Sequence, residues 1–391
     1  MSEIKVNSIK GVGASTAAIT IDNSSGGCTA NITNNLSNRN LIINGAMNVA
    51  QRGSSSDFSS SSTLSAFTLD RFRYDLFPFG GTSATATVSK STTAPDGFLH
   101  SLKVDVTATD TSLVANNYSQ ITYQLEKQDI RHFAYGTSAA KTITLSFYVR
   151  SNKTGNYNVN LLQYGASTRL ASFTYAISSA DTWERKTITI AGDTSGNVVD
   201  GNSSGLGINF GLAYGGNYIT GSNQNSFGSY VAANSGVGQN VNLYDSTSNE
   251  WYITGVQLEV GSVATDFEHR SFAQELALCQ RYFQTIGVGF IAACRGASSS
   301  QLLYSYTPPV NLRASPTIST TNDGFNGTFG VRSYRDGSGT SDSTTTPATN
   351  SAYFTDMNPT IHLTQQGFSV TDDRSATIFV NGGAITLSAE L

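Results

Sequence analysis

The chain is dominated by stretches in which apolar and polar residues alternate. In 141–150, Ile143, Leu145, Phe147 and Val149 share one parity, and Thr142, Thr144, Ser146 and Tyr148 share the other. The same period recurs in Tyr157, Val159 and Leu161, and in Ile188 and Ile190 set against Trp183, Arg185 and Thr187. It recurs again in Ile208, Phe210, Leu212 and Tyr214. Successive side chains of a strand point to opposite faces, so each stretch predicts a strand with one buried face. Gly, Asn and Ser clusters separate these stretches as turns, and no helical segment intervenes, which excludes a βαβ fold. No repeat of fixed period is present, which weighs against a parallel β-helix. The expected fold class is all-β: a jelly-roll-like β-sandwich over residues 45–270, one short junction helix over 271–285, and a smaller C-terminal β-domain over 286–391.

The period changes within 251–283. Tyr252, Val256, Leu258 and Val260 lie on one parity of a strand, with Trp251 and Ile253 on the other, so this strand is expected to be covered on both faces. Phe272, Leu276, Cys279 and Phe283 then recur at helical spacing. Ser271 with Gln274 three residues on forms a capping-box pattern, and Gly287 is the expected stop. A helix this short is marginal alone. Its four apolar residues are therefore expected to pack on the sandwich or on the helices of sister chains.

Composition narrows the picture. Charged residues make up 13% of the 391 residues, about half the ~25% usual in soluble domains. The 18 Tyr and 20 Phe supply enough apolar surface for a core, so the abundance of Ser, Thr and Asn does not imply disorder. The net charge is −4 with no basic block, which argues against nucleic-acid binding. No stretch approaches the ~18 apolar residues of a membrane helix, and Met1–Lys10 has no apolar core of a signal peptide. Cys28, Cys279 and Cys294 form no CxxC pair, and Cys279 sits on the helix stripe as a small buried hydrophobe.

Three stretches carry a family resemblance. GVQLEVGSVATDFEHRSFAQELALCQRYFQ (255–284), NLIINGAMNVAQRG (40–53) followed by LDRF (69–72), and PPVNLRASPTIS (308–319) with the closing SAEL resemble segments of bacteriophage tail-fibre and related tail-appendage proteins. The resemblance spans residue 40 to the end. It implies a virion tail-appendage protein assembled in the host cytoplasm, a homotrimer, and attachment to a receptor on the host surface, a glycan or a protein. Residues 1–44 carry short alternating stretches at Ile4, Val6, Ile19 and Ile21 that cannot build a core alone. With the resemblance, they are expected to dock on other tail, baseplate or adaptor proteins.

Candidate chemistry is sparse. The segment 214–244 is long and rich in Gly, Asn and Ser, with Tyr218, Phe227 and Tyr230 among polar neighbours. Aromatic faces beside amides suit a sugar, so these three are the glycan-binding candidates, with packing against a neighbouring chain as the alternative. Aromatics also punctuate the polar stretch 322–350, a second candidate contact surface or a solvated loop. None of the four His makes HxH or HExxH, and there is no GxSxG elbow or P-loop, so no catalytic residue, metal or cofactor is expected. The carboxylate pairs Asp181/Glu184 and Glu126/Asp129 are most simply surface residues. A depolymerising tailspike, or a purely structural collar, baseplate or head-decoration protein, are the alternatives.

Overall fold

The computed structural model describes residues 6, 8–9, 19–21, 28–30, 38–59, 64–77, 84–287, 291–298, 301–321, 329–333, 343–344, 361–366, 375–380 and 384–391. Its main body is a β-sandwich of two antiparallel sheets. One has six strands in the order Glu184–Ile190, Ile143–Ser151, Glu250–Val260, Ser101–Ala108, Thr85–Ser91 and Ser55–Ser59. The other has seven: Gly228–Ser229, Thr168–Ile177, Gly155–Tyr164, Ser204–Tyr214, Tyr118–Glu126, Arg73–Phe77 and Leu64–Phe67. The inward parity of both sheets forms one core around Phe147, Phe210, Tyr157, Trp251, Leu258 and Val104, all fully buried. The alternating stretches of the sequence therefore lie where their period puts them, as an all-β jelly-roll-like sandwich.

Two of the strands read from the sequence depart from the parity expected of them, for the same reason. In Glu250–Val260 the register against Ile143–Ser151 slips between Ser146 and Tyr148, and the extra residue opposite is Gly255, at φ +61°. A β-bulge inserts one residue and swaps the faces beyond it. Trp251 and Ile253 therefore face the core before the bulge and Val256 and Leu258 after it, while Tyr252 lies on the outer face against Trp183. A Cβ on Gly255 would stand 2.7 Å from Phe98, so only glycine fits here. A second slip, between Gly211 and Ala213, turns Ala213 inward and pairs Tyr214 with Tyr118 on the outer face. This corrects the expectation that Tyr214 shares the parity of Ile208, Phe210 and Leu212.

The sandwich begins earlier than residue 45. Ile42 and Asn44 are fully buried, and Leu41 donates its backbone N–H to the Leu258 carbonyl at 3.0 Å. The Asn44 side-chain amide donates to the carbonyls of Val49 at 2.9 Å and Asp70 at 3.0 Å. Residues 38–44 thus belong to the compact body. Within the preceding segment, Ser8–Ile9, Ile19–Ile21 and Cys28–Ala30 form a three-stranded antiparallel sheet.

The helix is shorter than expected: Phe272–Gln280 rather than 271–285. Its capping box is present, with the Ser271 hydroxyl accepting from the Gln274 N–H at 3.3 Å. It stops because the next residues are claimed elsewhere. Arg281 and Tyr282 bind Glu126, and Phe283 opens the strand Phe283–Ile286, which pairs with Ala384–Ser388. The predicted stripe divides accordingly. Cys279 and Phe283 are buried, Leu276 is half-buried, and Phe272 is 60% exposed. The helix instead buries Glu275 and Cys279.

The C-terminal part contributes a three-stranded sheet in the order Phe283–Ile286, Ala384–Ser388 and Thr317–Thr321. A second sheet has six strands: Ser343–Thr344, Phe329–Ser333, Ser375–Val380, Ile291–Ser298, Gln301–Tyr306 and Ile361–Gln366. The strand expected at 367–370, the turn at 381–383 and most of the polar stretch 322–350 lie outside the described residues.

Candidate functional site

The outer face of the seven-stranded sheet carries a groove of about 430 Å³. Its floor follows from strand register. Phe77, Tyr118 and Tyr214 stand opposite one another on three neighbouring strands and form an aromatic row. Phe77 and Tyr118 stack in parallel, with centroids 5.3 Å apart and 2° between planes. The next row is Asp75, Gln120 and Gly211, and the one after it is Arg73, Thr122, Asn209 and Asn160. Gln124, Gly207 and Leu162 follow. One end of the groove is therefore aromatic and the middle is built of amides and hydroxyls.

Glycine on the central strand makes this floor possible. A Cβ on Gly211 would lie 2.3 Å from the Tyr214 ring, and one on Gly207 would lie 3.1 Å from the Tyr164 hydroxyl. Larger side chains here would lift both rings off the floor.

The 214–244 segment supplies the far wall. It is packed down by its own backbone: Gly236 donates to Tyr218 O at 2.7 Å, Gly221 to Ala233 O at 2.9 Å, and Asn217 to Ala115 O at 2.7 Å. This sets Tyr218 edge-on to Tyr118, with centroids 5.4 Å apart, and 5.8 Å from Tyr214. Tyr230, nearly half exposed, also lines the groove. Phe227 does not. It packs inward against Tyr135, centroids 5.5 Å apart, at the edge of the core, while its carbonyl accepts from Arg169 at 3.1 Å. Of the three sequence candidates, the fold brings together Tyr218 and Tyr230 and takes Phe227 away. Tyr118, Tyr214, Tyr164, Asn160 and Asn209 were missed. The alternation of Gly205, Gly207, Asn209 and Gly211 along one parity is the signal that could have pointed to them, since a strand with so little side chain leaves room above it.

A hydrogen-bond chain crosses the floor. Asn160 Nδ2 donates to the Tyr214 hydroxyl at 3.2 Å, and that hydroxyl donates to Gln120 Oε1 at 3.1 Å. Gln120 Nε2 donates to Asp75 at 3.3 Å. Asp75 also accepts from Thr122 Oγ1 at 2.6 Å, Ser65 Oγ at 2.5 Å, and Arg73 through Nε at 2.8 Å and Nη2 at 3.2 Å. Two acceptors are left over: the buried Oδ1 atoms of Asn160 and Asn209 have no partner. An unpaired buried acceptor costs free energy, which a ligand hydroxyl would recover. Burial pushes the Tyr118 hydroxyl up to about 12 and raises Tyr164, Tyr214 and Tyr218 as well, so all four phenols stay neutral near pH 7. Six aromatic residues beside amide acceptors can hold a ligand with apolar faces and hydroxyl edges.

Three of the four paired carboxylates are engaged structurally. Asp181 meets Arg150 at 2.8 Å and Glu184 meets Lys186 at 2.5 Å. Glu126 is held by Arg281, Tyr282 and Gln128 and is fully buried, which corrects the expectation that it lies on the surface. Among the described residues no group of three His, Cys, Asp or Glu is placed to hold a metal ion.

No protein-family model matches this chain, and no curated protein matches it. Among solved structures, the chain is similar to the enzymatically active domain of tailspike protein 4 of Bacteriophage CBA120. Identity is 11% and the TM-score 0.29, over 57% of this chain and 21% of that one. It is also similar to the CBM22-1 xylan-binding domain of Paenibacillus barcinonensis, with 8% identity and TM-score 0.27 over 57% of this chain and 96% of that one. A third is a family 11 carbohydrate-binding module from Clostridium thermocellum, with 9% identity and TM-score 0.25 over 56% of this chain and 92% of that one. All three scores lie below 0.5, and the chemistry of the groove is taken from its own residues.

Proposed function

We propose that this chain is a glycan-recognition protein of a phage tail appendage, a tail fibre, that attaches the virion to its host through the groove. One observation carries the reading: an open groove whose aromatic row, Phe77, Tyr118 and Tyr214, lies beside the unpartnered amide oxygens of Asn160 and Asn209. A sugar ring offers C–H patches to aromatic faces and hydroxyl donors to amide acceptors, and this floor presents both in register. The tail-appendage part rests on the sequence resemblance of residues 40–53, 255–284 and 308–319. In this reading the segment before residue 38 docks on a tail, baseplate or adaptor protein, the chain works as a homotrimer, and weak sites gain avidity by repetition.

The same groove favours binding over hydrolysis. Glycosidases need two carboxyl groups across the scissile bond, and among the described residues lining the groove Asp75 is the only carboxylate. Asp75 is saturated with donors, a poor state for a nucleophile or an acid. The test is adsorption of the purified protein to host cells. Binding should be competed by the host's surface polysaccharide and reduced by Tyr218→Ala, with no shortening of the polysaccharide on long incubation. Progressive shortening would favour a depolymerase, and adsorption indifferent to both polysaccharide and substitution would leave the groove without a role.

A further inference from the structure

We infer that Asp75 is the charge filter of the groove, and that the ligand is a neutral, hydroxyl-rich saccharide rather than an acidic one. This rests on the glycan reading above and narrows it. Among the described residues lining the groove, Arg73 is the only cation and Asp75 the only anion. A uronate, sialate or phosphate sugar is held most strongly by a cation that can turn its donors on the ligand. Arg73 turns two of its donors, Nε and Nη2, on Asp75 at 2.8 and 3.2 Å. Ser65, Thr122 and Gln120 fix the carboxylate from other directions, so the pair is held in place.

The unpartnered buried atoms of the floor point to the same class. The two unpartnered buried side-chain atoms on the floor, Asn160 Oδ1 and Asn209 Oδ1, are both acceptors. They complement O–H donors and repel a carboxylate, which has only acceptors at neutral pH. One of the two N–H groups of the Asn160 amide is committed to the Tyr214 hydroxyl. A neutral hexose presents hydroxyls to this floor, whereas the same hexose oxidised at C6 brings a desolvated charge to a site with no free counter-charge. Removing the Asp75 charge would leave Arg73 as an unmasked cation in the same groove.

The probes are short neutral gluco-, manno- and galacto-oligosaccharides and the same chains oxidised at C6 to uronates. Binding is followed by calorimetry with the full-length protein. The wild type should bind at least one neutral series, with its oxidised counterpart weaker by about tenfold or more. Asp75→Asn, which keeps the side-chain shape, should narrow that ratio by about tenfold. Circular dichroism establishes that the variant is folded; if it is not, the wild-type ratio alone decides. Oxidised chains bound as tightly as neutral ones by the wild type would overturn the charge filter and leave glycan recognition standing, as would an unchanged ratio in folded Asp75→Asn. Binding of no saccharide of either kind, neutral or oxidised, would overturn the glycan reading and the filter with it.

Discussion

Phe77 and Tyr118 stand directly opposite each other on adjacent strands, and their rings lie parallel, 5.3 Å apart, on the solvent side of the sheet. Tyr214 extends the row only because the bulge between Gly211 and Ala213 turns it outward. An aromatic row of this kind normally faces a core; here it forms one end of a groove floor that continues in glycine, amide and hydroxyl. Its cost in exposed apolar surface is expected to be offset by a ligand.

The glycine floor gives the first prediction. Gly211→Ala places a methyl 2.3 Å from the Tyr214 ring, which must move. The expected cost is about 1–3 kcal/mol of stability, as for overpacking elsewhere, with a larger loss of saccharide affinity than the melting shift accounts for. Equal affinity in the variant would mean that the Tyr214 position does not matter to the ligand.

A second prediction concerns the joint between the sandwich and the C-terminal strands. Glu126, fully buried, accepts from Arg281 Nε at 2.9 Å and Nη2 at 3.0 Å, and from the Tyr282 hydroxyl at 2.7 Å. Nearby, Arg71 lies over the Tyr282 ring and pairs with Glu390, which Arg52 also reaches at 3.0 Å. Glu126→Ala strands a buried hydroxyl and a largely buried guanidinium. The expected loss is about 3 kcal/mol in denaturant unfolding, the lower end for a broken buried pair because Arg281 keeps some water access. A loss under about 0.5 kcal/mol, the range of ordinary surface substitutions, would make the joint ornamental.

The helix separates two ideas about assembly. Cys279 is buried within the chain, whereas Phe272 is exposed. Cys279→Asp should lower the melting temperature whatever the oligomer. If sister helices pack together in a trimer, Phe272→Asp should reduce the native mass from three chains to one while leaving the fold intact. A trimer indifferent to Phe272→Asp would place the contacts elsewhere, and a wild-type monomer at micromolar concentration would contradict the trimer itself.

Alkaline stability follows from the buried phenols. Burial raises Tyr74 and Tyr123 from 10.0 to about 12. A group whose pKa is higher folded than unfolded contributes stability that is complete below the unfolded value and lost as pH rises through the folded one. Urea midpoints should therefore hold up to about pH 10 and fall between there and about pH 12. Phenolate absorbance should appear together with unfolding. Full ionisation of the tyrosines near pH 10 in a still-folded protein would contradict their burial.

The sandwich was legible because its strands alternate cleanly: Ile143, Leu145, Phe147 and Val149 are all buried, as their period requires. The capping box at Ser271 and Gln274 was legible because it is local. The bulges at Gly255 and Leu212 were not, because one extra residue reverses a parity without altering composition. The helix end was not legible either, since Arg281 and Tyr282 leave the helix for Glu126, 155 and 156 residues away. The groove was read only through its loop. Tyr218 and Tyr230 stand out among Gly and Asn, whereas Tyr118, Asn160 and Asn209 come from three separate strands and meet only through register. Phe227 looked equivalent to the two tyrosines, but it lacks a polar end and packs under Tyr135.

The central claim is that a saccharide sits on this aromatic row. Calorimetry with oligosaccharide fragments of the host's surface polysaccharide tests it most directly, comparing the wild type with a Tyr118→Ala/Tyr218→Ala double variant of unchanged melting temperature. The wild type should bind with a dissociation constant of about micromolar to millimolar, and the variant should lose about tenfold to a hundredfold, some 1.4–2.8 kcal/mol. Equal affinity in the two proteins would contradict the account.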